Sequence, residues 1–95
     1  MRTEKLYWVY ILTNKTHSVL YTGVTGNLPK RLFEHQSNRG STFTQKYHVH
    51  KLVFAESFPT PLEAIAAEKK IKGGSRLKKI KLIESLNPQW EEIIL

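Results

Sequence analysis

Apolar residues cluster in short β-type runs over the first part of the chain and recur at helical spacing over its second half. Tyr7-Trp-Val-Tyr-Ile-Leu12 is aromatic or β-branched almost throughout, which is strand composition. Asn14 to Ser18 is polar and turn-like, and Val19 to Val24 reads as a second strand, so the two predict an antiparallel hairpin. Side chains alternate between faces, which puts Trp8, Tyr10 and Leu12 on one side and Tyr7, Val9 and Ile11 on the other. Little in the hairpin suits solvent alone, so it is expected to be covered on both faces and to be a central element, not an edge. Tyr10 and Tyr21 then lie on neighbouring strands.

Gly23-x-x-Gly26 reads as hairpin chemistry, with Gly26-Asn27 closing the hairpin. Asn27 is a good N-cap and Pro29 fits the first turn, which predicts a helix from Leu28 to Gln36 that ends in the loop-forming Ser37–Gly40. Leu28 and Leu32 share one of its faces, Arg31 and His35 an adjoining one. Ser41 to His50, polar with isolated Phe43 and Tyr47, is read as a loop leading into a third strand, Leu52 to Phe58. Thr60, Pro61 and Glu63 form a helix start with a capping box, and that helix runs to Lys72 before Gly73-Gly74. Ser75 caps a last helix, in which Leu77, Ile80, Ile83 and Leu86 recur on one face and which Asn87-Pro88 stops. The tail, with Trp90, is expected to pack back on the body. The expected fold is α+β: one domain over 1–95, a three-stranded, mainly antiparallel sheet flanked by helices in the order β-β-α-β-α-α.

Charge adds a partner to this picture. The net charge is +7, and the stretch from Lys69 to Lys81 also holds Lys70, Lys72, Arg76, Lys78 and Lys79 without an acidic residue. Such a run suits a polyanion, because Lys and Arg release counterions condensed on phosphates; a solvated helix face is the plainer alternative. There is no cysteine, which excludes disulfides and thiolate metal sites and fits a reducing, cytoplasmic setting. Met1 to Lys5 has no signal-peptide pattern, and no apolar run nears the roughly 20 residues of a membrane span.

Glu68 is the most informative single residue. It stands four residues after Ala64 and three before Ile71, in line with the stripe that faces the sheet. An inward carboxylate needs a cation, a donor or a metal, although an i,i+4 pair with Lys72 would also employ it. Tyr10, Tyr21, Arg31 and His35 each have an ordinary reading when taken alone, as core or surface residues. No histidine has zinc-site spacing.

Together these residues resemble the GIY-YIG nuclease family. The likeness runs from Leu6 to Trp90 and is nearest to small stand-alone bacterial members. It rests on Trp8-Val-Tyr10, Leu20-Tyr-Thr-Gly-Val-Thr-Gly-Asn-Leu28, Arg31-x-x-Glu-His35, Phe43-Thr-x-x-Tyr47, Ala64-Ile-x-x-Glu-Lys-x-Ile-Lys72 and Asn87-Pro-x-Trp90. The resemblance implies a metal-dependent endonuclease that leaves a 5′-phosphate and a 3′-hydroxyl. Carried over, Tyr21 is the general base or water-orienting group, with Tyr10 hydrogen-bonded near it. Arg31 stabilises charge on the scissile phosphate, Glu68 ligates one Mg2+ or Mn2+ ion, and His35 supports the base. The proton's destination, Tyr21 or His35, stays open.

The chemistry of these groups is compatible with those roles. A free tyrosine titrates near pH 10, so its phenolate at pH 7 costs about 4 kcal/mol unless positive charge lowers that. Magnesium takes oxygen ligands, often one or two carboxylates beside substrate phosphate. The chain departs from family patterns at Trp8, where the family name has glycine, at Val24, where the excision-repair branch has lysine, and at Glu91, where that branch has asparagine; Asn87 is nearby in sequence and is held as a further candidate. Substrate recognition falls to the domain itself, through Lys69, Lys72, Arg76, Lys78 and Lys79 and the aromatics Phe43 and Tyr47. Exposed aromatics beside cations grip single strands by stacking, which favours single-stranded or branched DNA; Phe43 and Tyr47 pinning the loop to the core is the alternative. A catalytically silent nucleic-acid-binding domain and an RNA-directed nuclease are the competing functions.

Overall fold

The computed structural model describes residues 5–37, 39 and 41–95. Met1–Glu4, Asn38 and Gly40 lie outside the described residues, and with them most of the leader reading and part of the Ser37–Gly40 loop. In chain order the elements are β1 (Tyr7–Thr13), β2 (Leu20–Thr25), α1 (Leu28–Gln36), α2 (Thr42–Lys46), β3 (Lys51–Phe58), α3 (Pro61–Lys72) and α4 (Arg76–Leu86). The sheet is three-stranded and antiparallel with the order β2-β1-β3, so the α+β architecture is as expected.

Tyr10 lies opposite Gly23 on β2 and Ala55 on β3, at the middle of the sheet. The hairpin pairing sets Leu12 against Tyr21 and Trp8 against Thr25. Between β1 and β3 the register slips: Ile11 faces Phe54 but Leu12 faces Leu52, leaving Val53 as the extra residue of a bulge. The bulge decides the faces. Leu52 joins Tyr10, Leu12, Leu28, Leu32 and Val49 on one side of the sheet, whereas Val53 and Phe54 join Ile11, Ile83 and Trp90 on the other. Both faces of β1 are thus buried, as its composition requires.

The helix starts are legible locally. Asn27, Ser41, Thr60 and Ser75 each accept a backbone N–H of the first turn with their side chains. Their helices are then sorted by apolar face: α1 covers the Tyr10 side, while Ile71 of α3 and Ile80, Leu82 and Ile83 of α4 cover the Ile11 side. The tail returns as expected, Trp90 stacking on His17 with ring centroids 4.9 Å apart and Ile93 donating its N–H to Leu52.

Three expectations are corrected. Only β1 is central; β2 is an edge, because β3 pairs with the other side of β1 and nothing within a hairpin says which of its strands the next will join. The Ser41–His50 stretch contains α2, nucleated by the Ser41 cap, where a loop was expected. On α4 only the middle of the expected stripe is inside: Ile83 is fully buried, but Leu77 and Leu86 are 60% and 71% exposed. Periodicity tells which residues share a face, not how much of that face meets a partner.

Candidate active site

Tyr10 is the centre of the cluster. Its strand is the middle one, and its phenol reaches across β2 over Gly23. A Cβ at Gly23 would fall on the Tyr10 hydroxyl and within 2.5 Å of Cζ. No described glycine has a positive φ, so Gly23 answers a need for space; the reading of Gly23 as hairpin chemistry gives way to this one.

Beneath that space, Tyr10 Oη meets His35 Nε2 at 3.1 Å. Both side chains are buried, Tyr10 at 2% exposure and His35 at 0%. His35 sits on α1 one turn after Arg31, and its other nitrogen, Nδ1, lies 3.0 Å from Thr44 Oγ1 on α2. Tyr21 packs edge-on to His35 with centroids 5.5 Å apart, and lies 6.4 Å from the Tyr10 ring. Tyr21 is only half-buried, so of the two phenols it is the one open to a ligand.

The half-buried Arg31 guanidinium serves both tyrosines. Hydrogen bonding to Tyr10, then the proximity of Tyr21 and Glu34, holds it above its ordinary range against its own desolvation; Glu34 Oε1 lies 3.5 Å away. Burial keeps the Tyr10 hydroxyl above the usual phenol range despite Arg31, so Tyr10 stays protonated at neutral pH. His35 is pushed down to about 4, first by burial and then by the Arg31 charge, with His50 adding to this and Glu34 opposing it. A neutral imidazole and a neutral phenol therefore share the buried bond.

Glu68 projects from α3, with its side chain 15% exposed and Oε2 3.5 Å from Lys72 Nζ. Its charge contributes to the rise at Tyr10, which places it in the electrostatic range of the cluster. Both readings of Glu68 thus have support, since it is turned inward and also pairs with Lys72. Among the described residues no group of three or more His, Cys, Asp or Glu could hold a metal ion. One carboxylate among oxygen donors does fit magnesium or manganese, which keep most of their waters and take the rest from substrate phosphate.

Phe43 stacks on Tyr21 with centroids 6.0 Å apart and meets Tyr47 at 4.8 Å. Phe43 and Tyr47 are each 42% exposed, and Lys46 Nζ lies 5.4 Å from the Tyr47 ring centroid. They are neither buried pins nor free rings: a half-exposed aromatic row leads from Tyr21 to a lysine. The basic stretch divides. Lys72 stands beside Glu68, whereas Lys78 and Lys79 join Lys70 around a cavity of about 530 Å³ between α3 and α4, floored by Ile71 and Leu82 and free of the tyrosine cluster's residues. Lys69 is exposed on α3. Arg76 reaches back to the His17 carbonyl at 3.0 Å. Asn87 spends its amide on backbone, donating to Val53 and Glu91 and accepting from Glu91; none of these bonds goes to the cluster.

Thr44 and Ser41 were not foreseen. Thr44 is fully buried and bonds to His35, and Ser41 caps the turn that carries it. Ser41-Thr-Phe-Thr44 has cap spacing that marks a helix start, but nothing in it points to a histidine 25 residues from Tyr10 in sequence.

Comparison with known proteins shows the family and the fold. The family described as the GIY-YIG catalytic domain matches residues 6–81. A UPF0213 protein of Staphylococcus saprophyticus is 39% identical over 77 residues, covering 81% of this chain and 93% of that one. A UPF0213 protein of Bacillus velezensis is 37% identical over 93 residues, covering 98% and 92%. The solution NMR structure of a UPF0213 protein from Bacillus halodurans superposes with a TM-score of 0.59 at 34% identity, over 90% of each chain. Among the described residues no helix is long and apolar enough to cross a membrane.

Proposed function

Because the chain belongs to the GIY-YIG nuclease family, we propose that it is a metal-dependent endonuclease that hydrolyses phosphodiester bonds in single-stranded or branched DNA. The observation that carries this reading is the gathering of Tyr10, Tyr21 and His35 around the Arg31 guanidinium, with Glu68 in electrostatic range. Phosphate binding alone needs cations; it does not need two phenols and a buried imidazole beside them.

In this reading Arg31 holds the scissile phosphate and stabilises the charge that builds on its oxygens. Tyr21, the half-exposed phenol, orients the attacking water and, as phenolate, takes its proton; the Arg31 charge reduces the cost of that phenolate. The water oxygen bonds to phosphorus as the bond to the 3′ oxygen breaks, and the departing 3′ oxyanion takes a proton from solvent, leaving a 5′-phosphate and a 3′-hydroxyl. Tyr10 is too deeply buried to touch substrate and acts by holding Arg31. His35 supports the base only through Tyr10, since its hydrogen bond goes there. Glu68 would hold Mg2+ or Mn2+, which supplies Lewis-acid stabilisation of phosphate oxygens when bound. The Tyr21–Phe43–Tyr47 row suits stacked, unpaired bases, with Lys46, Lys69 and Lys72 available to phosphates. Arg76, Lys78 and Lys79 are assigned to more distant phosphate contacts.

The Glu68–Lys72 ion pair favours one other reading, a silent nucleic-acid-binding domain in which Glu68 is structural. Incubating labelled single-stranded, forked and duplex DNA, and matching RNA, with Mg2+, Mn2+ or EDTA separates the two. The enzyme reading expects metal-dependent cleavage, strongest on single-stranded or forked DNA and lost in EDTA. Binding without cleavage in every metal removes it, and preferential RNA cleavage reassigns the substrate.

A further inference from the structure

The hydroxyl of Thr44 has one hydrogen and two lone pairs, and the structure accounts for all of them. It donates to the Ser41 carbonyl at 3.0 Å and accepts the Ser41 hydroxyl at 3.2 Å. With the Thr44 hydrogen on the Ser41 carbonyl, the remaining lone pair faces His35 Nδ1 at 3.0 Å, and in that arrangement Nδ1 is the donor. A neutral imidazole carries one N–H, which leaves Nε2 bare. The bond between Nε2 and Tyr10 Oη then has a single sense, with the phenol donating. Once its hydrogen points at His35, the Tyr10 oxygen offers only lone pairs to its other neighbour, the Arg31 guanidinium, which is all donors.

We propose that Thr44 is a positioning residue that locks His35 in the Nδ1–H tautomer, and so turns Tyr10 into a pure acceptor that orients Arg31. The hydrogen-bonded order Ser41, Thr44, His35, Tyr10 is a chain in which each link fixes the direction of the next, by the rule that the bond made at one ring nitrogen sets the state of the other, and the Arg31 charge acts on the phenol at its end. The part played in cleavage rests on the endonuclease reading; the tautomer does not. Among the described residues the groups facing His35 are Arg31 and Glu34 on its own helix, Tyr10 on β1, Tyr21 on β2, Thr44 on α2 and His50 just before β3. Glu34 is the only acid among them, and it is a neighbour of Arg31, so nothing in the set competes with Thr44 as acceptor for Nδ1–H.

The test is long-range proton–nitrogen NMR of 15N-histidine-labelled protein, in wild type, Thr44→Val and Thr44→Ser, at neutral pH. Wild type and Thr44→Ser are expected to show His35 protonated at Nδ1 only. Thr44→Val keeps the volume but removes the acceptor, and is expected to show His35 shifted toward the Nε2–H form. In the cleavage assay the same variant should lose about tenfold in kcat with KM nearly unchanged, the scale of one misdirected buried hydrogen bond, because Tyr10 then no longer presents only lone pairs to Arg31, and Thr44→Ser should restore most of it. An Nε2–H tautomer in wild type, or an Nδ1–H tautomer retained in Thr44→Val, overturns the proposal whether or not the protein cuts DNA. If Thr44→Val does not fold, the wild-type and Thr44→Ser spectra decide. A protein that cleaves nothing yet shows the expected tautomers removes the endonuclease reading and leaves this one standing.

Discussion

Replacing His35 by Gln is expected to flatten the loss of stability that the protein suffers on mild acidification. His35 is fully buried and titrates at about 4 in the folded chain, because burial and Arg31 both oppose its charged form. In the unfolded chain it returns to its ordinary value near 6.5. The sign follows from proton counting. Above about pH 6.5 neither state binds the proton, and His35 contributes no pH dependence. Between about 6.5 and 4 the unfolded state is protonated and the folded state is not, so stability falls as pH falls; below about 4 both bind it and the slope ends. Each unit of this window is worth about 1.4 kcal/mol, so roughly 2 kcal/mol goes between pH 7 and pH 5, and about 3 kcal/mol by pH 4. That is a large share of the 5–15 kcal/mol typical of small domains. Urea unfolding at pH 7 and pH 5 measures it. Carboxylates and the other histidines are common to both proteins, so the difference between wild type and His35→Gln isolates this residue. His35→Gln will start lower, having lost a fitted ring, but should lose about 2 kcal/mol less than wild type between the two pH values. Parallel losses would refute the buried, neutral His35 on which the tyrosine–arginine arrangement stands.

Gly23→Ala should destabilise the fold by about 1–3 kcal/mol, measured by the same unfolding, because the new methyl and the Tyr10 phenol claim one space; an unchanged protein would show that the phenol is free to move. Glu68→Ala should abolish metal-dependent cleavage while single-strand binding stays within a few-fold, measured by fluorescence anisotropy; retained cleavage would leave Glu68 with its Lys72 pairing alone. Lys78→Ala with Lys79→Ala should reduce the salt slope of binding by about two if both meet phosphate, and an unchanged slope would assign the α3–α4 cavity to something other than this strand.

How much of this was legible beforehand depended on the range of the interaction concerned. The α1, α3 and α4 starts were readable because a cap is chemistry between residues three apart: Asn27 with Lys30, Thr60 with Glu63, Ser75 with Lys78. The faces of β1 were readable because alternation is a property of one strand. By contrast, α2 was missed although Ser41 caps it through the same local chemistry, since its five residues are too few to display a period. The bulge at Val53 leaves no local mark either, yet it sends Leu52 and Phe54 to opposite sides of the sheet.

The candidate site divides along the same line. Spacing showed that Arg31 and His35 share a helix face and that Tyr10 and Tyr21 lie on neighbouring strands, while their joining in one site was what the family resemblance implied. The sequence by itself therefore determined the elements, their buried faces and the set of side chains that the chemistry can draw on. Only the tertiary structure decided that Gly23 makes room for Tyr10, that His35 bonds Tyr10 while meeting Tyr21 only edge-on, and that Thr44 stands behind His35. Composition and period act within one helix or strand, whereas a hydrogen bond joins whatever the fold brings within about 3 Å, and that choice is made only when separate elements pack.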